Sequence, residues 1–298
     1  MAIYDCLYSG LLPNEQANFA SAQVFLGLTP GLLATLGPSI GEISLLSLQR
    51  PLLSFFLALG GPAIYVPRLL TYDDPLSNLQ LTTTIFPLAI SLPSATTGTL
   101  LSVFQYILAM LATANVVQLS WQLGYRTVIA WKCNSSYLPF LWSTLPAVIH
   151  LCSSISWRWS QPMRQLKRDD PNAPVPLCKI KSWAEWLRRD FTLSVNTKKR
   201  NLLKLCHDND VGVSNDPVTV FFNQAAGLMS FLHILFGTLV FSSLMFIATL
   251  DAMNVIARYL ISGLACKLVV AYELNGMRIV ETRRPVDEEP GEIKPPNS

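Results

Sequence analysis

Charge is the first thing this sequence lacks. Only 14% of its 298 residues are Asp, Glu, Lys or Arg, against roughly 25% in a typical soluble domain, while 51% are hydrophobic. So little polar surface cannot clothe a water-soluble globule of this size, and residence in a membrane follows. Lys and Arg are also missing ahead of the first apolar run. M-A-I-Y-D-C-L-Y-S-G-L-L-P-N-E-Q carries acids instead, the wrong charge for a cleaved signal peptide, so the first span is expected to stay. The six cysteines (Cys6, Cys133, Cys152, Cys178, Cys206, Cys266) form no C-x-x-C and no zinc-type spacing. Cys152 and Cys266 fall in apolar runs and read as small packing residues. Cys206-His207, followed by Asp208 and Asp210, lacks a second Cys/His pair and reads as a solvated loop. Walker A, GxSxG, HExxH and dinucleotide-binding glycine motifs are absent, so nothing calls for a cofactor or a metal.

Long apolar runs are what the chain has. A helix needs about 20 apolar residues to cross about 30 Å of hydrocarbon, where no water can satisfy a bare backbone. Six stretches meet or approach that length: Phe19 to Pro38, Pro51 to Leu70, Thr99 to Tyr125, Tyr137 to Trp157, Ala225 to Leu250 and Ala252 to Tyr272. A seventh, Leu79 to Ala95, is short and broken by Pro87 and Pro93, which suits either a kinked span or a re-entrant segment. The expected architecture is an all-α polytopic bundle of six or seven spans. Residues 1–18 lie outside the membrane, 19–157 form an N-terminal bundle, 158–222 a loop, 223–275 a hairpin, and 276–298 a disordered tail.

The remaining charge is uneven. Twelve of the 22 Lys and Arg residues fall between Arg158 and Lys204, opposed only by Asp169, Asp170, Glu185 and Asp190. Between apolar spans, that pattern marks a cytoplasmic loop beside anionic lipid rather than a nucleic-acid surface. The loop before the fourth span then faces the lumen or exterior, where the sequon Asn134-Ser135-Ser136 could be glycosylated. An outside N-terminus with Arg50 inside requires seven spans on this count, and Cys6 and Cys133 would share the oxidising side. Within the loop, residues 179–191 place Trp183, Trp186, Leu187 and Phe191 on one helical face, with Ser182 and Glu185 as a capping box. Such a helix is expected to lie flat on the bilayer interface, with a partner-binding helix or one packed on the protein as the alternative. Localisation is therefore an endomembrane of the secretory pathway or the plasma membrane, with the bilayer and its anionic lipids as partners.

Few polar residues interrupt the spans. Asp251-Ala252-Met253-Asn254 is the expected turn between the last two, with Asp251 capping the final helix. Arg258 would snorkel back to the near interface, toward Asp251, and Lys267 to the far one. A proton or substrate site is the alternative for these charges. Asn115, Gln118 and Gln122 recur on one face of the third long span, as interhelical hydrogen-bonding groups or as the lining of a polar cavity. His150 and His233 each stand alone in apolar helices and read as structural. Glu42 either pairs with Arg50, the favoured reading, or acts as a buried general acid of the kind an embedded cyclase needs. Asp73 and Asp74 lack the further acids a Mg-diphosphate site requires.

Two blocks resemble a group of uncharacterised integral membrane proteins of filamentous ascomycete fungi. One runs from F-L-G-L-T-P-G-L-L-A-T-L-G-P-S through L-Q-R-P-L-L-S-F-F-L-A-L-G-G-P to A-I-Y-V-P-R; the other from F-G-T-L-V-F-S-S-L-M-F-I-A-T-L-D to A-Y-E-L-N-G-M-R. The resemblance implies a fungal source and a multi-span fold and supplies no activity; proteins of this sort can sit beside secondary-metabolite genes. The expectation is a non-enzymatic accessory, receptor-like or scaffold component. A small-molecule transporter or channel, or a cyclase using Glu42 or Asp251 as acid, is the alternative.

Overall fold

The computed structural model of the chain describes residues 9–63, 95–130, 136–169, 190–194 and 217–282. They are almost entirely helical. Helices α1 (Pro13–Leu36), α2 (Ile40–Ser47), α3 (Pro51–Gly60), α4 (Ala95–Arg126), α5 (Leu138–Asp169), α6 (Pro217–Ser242) and α7 (Thr249–Thr282) are joined by a two-residue ribbon of β1 (Val128–Ile129) and β2 (Leu244–Met245). Five of them, α1, α4, α5, α6 and α7, are long and apolar enough to cross a membrane.

Their exposed sides carry many large apolar side chains. Less than half of each candidate span is buried, and Leu250, Leu100, Ile261 and Phe221 are among the most exposed side chains. A soluble monomer does not present apolar surface on that scale; hydrocarbon accommodates it. Two clusters form the interior. One gathers Ile43, Leu46, Leu53, Leu57, Ala109 and Cys266. The other surrounds Trp142, with Leu26, Leu119, Phe241 and Tyr259.

Contacts along α7 fix the vertical order. Thr249 N, in the first turn of α7, donates to Asn18 Oδ1 at 3.0 Å, so α1 and α7 start at the same end. A Cβ on Gly263 would sit 3.7 Å from Leu33, Lys267 meets Glu42, and Arg50 meets Glu273. The chain therefore descends through α1 and α2 to Arg50, then turns back in α3, where a Cβ on Gly60 would crowd Cys266 and Ala112. The long helices alternate, so the start of α1 and the end of α7 lie at opposite ends. Among the described residues, five helices are long enough to cross a membrane; the expected seventh span at 79–95 falls almost wholly outside them.

The expected span from Pro51 to Leu70 is instead a ten-residue helix, about 15 Å long, ending at Gly60. Gly61 and Pro62 stop it, because proline forces the residue before it out of the helical region. The turn between the last two spans lies at Ser243 to Ala248, not at Asp251 to Asn254. There Leu244 and Met245 pair with Val128 and Ile129, and Phe246 adopts φ 62°, unusual for a side chain without local hydrogen bonding. The ribbon satisfies backbone groups that a run of apolar side chains could not. Helix α7 continues to Thr282, so the first residues of the tail expected from 276 are helical, and 283–298 lie outside the described residues. Residues 79–94, the sequon at Asn134, and Cys6 and Cys133 lie outside the described residues.

Candidate functional site

Two polar constellations interrupt the apolar bundle. The first surrounds Arg50, at the break between α2 and α3, and its side chain is fully buried. Nη1 donates to Glu273 Oε1 at 2.9 Å and to Gln105 Oε1. Nη2 donates to Ser102 Oγ at 2.6 Å, and Nε to the Asp190 carbonyl at 2.7 Å. Gln105 Nε2 also donates to Glu273 Oε1 at 2.8 Å, and the guanidinium lies 5.4 Å from the Tyr106 ring centroid. A buried charge is tolerated only when paired and hydrogen-bonded in this way.

The same cluster holds a piece of the expected basic loop. Asp190 accepts from Leu52 N at 3.2 Å and from the Tyr106 hydroxyl. Ser194 N donates to Glu273 Oε2 at 3.2 Å, and Ser194 Oγ to Gln49 Oε1 at 3.0 Å. Phe191 lies against Tyr106 with centroids 4.7 Å apart. At its C-terminal edge the expected interfacial helix is thus tied to the bundle, while Trp183, Trp186 and Leu187 lie outside the described residues.

The second constellation unites residues the sequence singled out separately. Arg258 Nε and Nη2 donate to Asn115 Oδ1 at 3.0 and 2.6 Å, and Nη2 reaches Gln118 Oε1 at 3.3 Å. Asn115 Nδ2 in turn donates to Ser262 Oγ at 2.8 Å and to the Arg258 carbonyl at 3.1 Å. Gln122, one turn further along α4, is half-buried. Arg258 therefore does not reach toward Asp251, because the amides of α4 are nearer than a carboxylate two turns away. Asp251 is exposed in the first turn of α7, where its charge suits the helix dipole, but the cap itself falls before it.

Glu42 and Lys267 also depart from expectation. Lys267 Nζ donates to both Glu42 oxygens, at 2.9 and 2.7 Å, rather than snorkelling alone. Glu42 Oε2 accepts from Ser39 N at 2.8 Å, and Ser39 Oγ from Glu42 N at 3.3 Å, closing a capping box on α2. The expected Glu42–Arg50 pair does not form: Glu42 meets α7 at Lys267, whereas Arg50, beyond the end of α2, meets it at Glu273. The S-x-x-E spacing of Ser39 and Glu42 was the available signal for the cap.

Both histidines engage neighbouring helices. His150 shares hydrogen bonds with Ser54 at 3.2 Å and Ser154 at 3.3 Å. His233 stacks on Trp142, centroids 5.2 Å apart and rings 12° from parallel. His233 Nε2 donates to the Trp142 carbonyl at 2.9 Å, and Trp142 Nε1 to the His233 carbonyl at 3.2 Å, clamping α5 to α6. Cys266 is buried in the core and Cys152 packs against it. Among the described residues, no three His, Cys, Asp or Glu side chains gather as a metal site. Compared with known proteins, the chain matches no protein-family model, no curated protein and no solved structure.

Proposed function

We propose that this protein is a non-enzymatic component of a fungal membrane, accessory, receptor-like or scaffold in character, which works by association within the bilayer. The observation that carries this reading is the engagement of Glu42. Both its oxygens accept hydrogen bonds, from Lys267 Nζ and Ser39 N, whereas a general acid must hold a proton ready for substrate. Asp251, the other candidate acid, is exposed on the first turn of α7 and lacks the enclosure that embedded acid catalysis needs. The basic segment between α5 and α6 supports a cytoplasmic face toward anionic lipid, in the secretory pathway or at the cell surface. The resemblance to ascomycete proteins suggests a link with secondary metabolism.

Complementation tests the reading. A deletion strain profiled for metabolites should be restored equally by the wild type and by a variant carrying Glu42→Gln and Asp251→Asn. Failure of a correctly inserted, normally abundant variant to restore the profile would favour the cyclase alternative.

A further inference from the structure

Arg258 sits where a charge is hardest to keep. Leu250, Met253, Ile261, Leu264 and Leu268 form the exposed apolar stripe of α7, about 27 Å long at about 1.5 Å per residue and close to the hydrocarbon thickness of a bilayer. Arg258 lies about 12 Å from one end of that stripe and about 15 Å from the other. Its head is not free to snorkel, because Asn115 and Gln118 hold Nε and Nη2. The Nη1 hydrogens make no such bond, and Arg258 itself is only half-buried. Among the described residues the ion pairs are Arg50–Glu273 and Lys267–Glu42; Arg258 has no carboxylate. The two amides contribute dipoles and leave the positive charge uncompensated.

We infer that the exposed α4–α7 face around Arg258 docks a partner transmembrane helix carrying an aspartate or glutamate near the bilayer midplane. This rests on the association reading above and names the partner's chemistry. Ala114 and Ala257, exposed beside Asn115 and Arg258, let a second backbone approach closely enough for side chains to meet. A lipid phosphate lies beyond the ends of the apolar stripe, out of reach of a guanidinium pinned to α4. Among the described residues, a second copy of this chain offers no free acid at that depth. Rotation about the membrane normal keeps every residue at its own depth, where Asp251 is about 10 Å too shallow, Glu42 is paired and Glu273 is buried.

The test uses the purified full chain in neutral phosphatidylcholine vesicles, with labelled Leu/Ala transmembrane peptides of about 21 residues bearing Glu or Leu at the centre. Energy transfer should show the Glu peptide binding about tenfold tighter than the Leu peptide. Arg258→Met should erase that advantage and Arg258→Lys should keep part of it. Should Arg258→Met fail to fold, Ala257→Trp, which leaves the Arg258 network intact, should reduce Glu-peptide binding to the Leu-peptide level by obstructing the face. Equal binding of the two peptides to the wild type, an advantage that survives Arg258→Met, or one that survives Ala257→Trp would each overturn the proposal. So would loss of the advantage on adding phosphatidylglycerol, which would identify phosphate as the occupant. No turnover is read in this assay, so its failure leaves the complementation result standing, and the converse holds.

Discussion

Replacing Arg50 by Met should be far more damaging than replacing Arg50 and Glu273 together. Both side chains are fully buried and 2.9 Å apart. Methionine matches most of the arginine stem but removes the charge and the four hydrogen bonds to Glu273, Gln105, Ser102 and the Asp190 carbonyl. Glu273 would keep the donors Gln105 Nε2 and Ser194 N and would lose its only cation among the described residues. Orphaning one member of a buried pair costs about 3–5 kcal/mol, whereas exchanging both for apolar groups of similar volume is close to neutral. The Arg50→Met variant is therefore expected to lose about 3–5 kcal/mol, and adding Glu273→Leu should recover at least about 1–3 kcal/mol as coupling. Unfolding of the purified protein in mixed micelles, titrated with a denaturing detergent and followed by tryptophan fluorescence, measures all four corners of the cycle. A single variant that loses less than about 1 kcal/mol, the range of an exposed pair, or a double variant equal to the sum of the singles, would refute the reasoning.

Gly237→Ala should destabilise by about 1–3 kcal/mol in the same titration, because the added methyl would collide with Trp142 Nε1 and come 2.9 Å from Pro30 Cγ. Gly31→Ala, with open space at its Cβ, is the neutral control. Asp190→Ala strips Leu52 N and the Tyr106 hydroxyl of their acceptor, so trypsin should cut after Arg188 or Arg189 about tenfold faster as local opening becomes easier; an unchanged rate would mean the segment is held by other contacts. Asn134→Gln should abolish a glycan shift on a gel, and a shift that persists would remove Asn134 as the sole acceptor.

The parts of the fold legible in the sequence are those that depend on local run length. Thr99 to Tyr125 lies inside α4, Tyr137 to Trp157 starts within a residue of α5, and the last two spans are α6 and α7. Failures fall where a distant segment decides. The turn at Ser243 to Ala248 is spelled in apolar letters and carries no glycine or proline; only the pairing of Leu244 and Met245 with Val128 and Ile129 makes it a turn. Arg50, in L-Q-R-P, has every mark of a solvated loop residue. Its partners Ser102, Gln105, Asp190 and Glu273 lie 52 to 223 residues away, and no local pattern announces them. The polar face of Asn115 and Gln118 was visible at helical spacing, and so was Arg258 as an intramembrane charge. Their meeting required knowing that α4 and α7 are neighbours.

That neighbourhood explains why both constellations fall on the same two helices. Between α4 and α7 run Gln105 to Glu273, Asn115 to Arg258 and Ser262, and Ser120 to Tyr259 at 2.9 Å. In a bilayer, burial of apolar surface gives no net drive for one helix to choose a register on another, because lipid tails are as apolar as leucine; small-residue packing and interhelical hydrogen bonds must set it. Sliding α7 by one turn would break all of these polar contacts together, so the seam holds a single register. At the Arg50 end the charge is neutralised within the chain by a buried carboxylate and covered by residues 190–194. At the Arg258 end the same seam is half-exposed, and among the described residues its cation meets the amides of Asn115 and Gln118. The seam is thus completed at one end by a buried carboxylate and at the other by amide dipoles, and it is the second end that the proposed partner helix would complete.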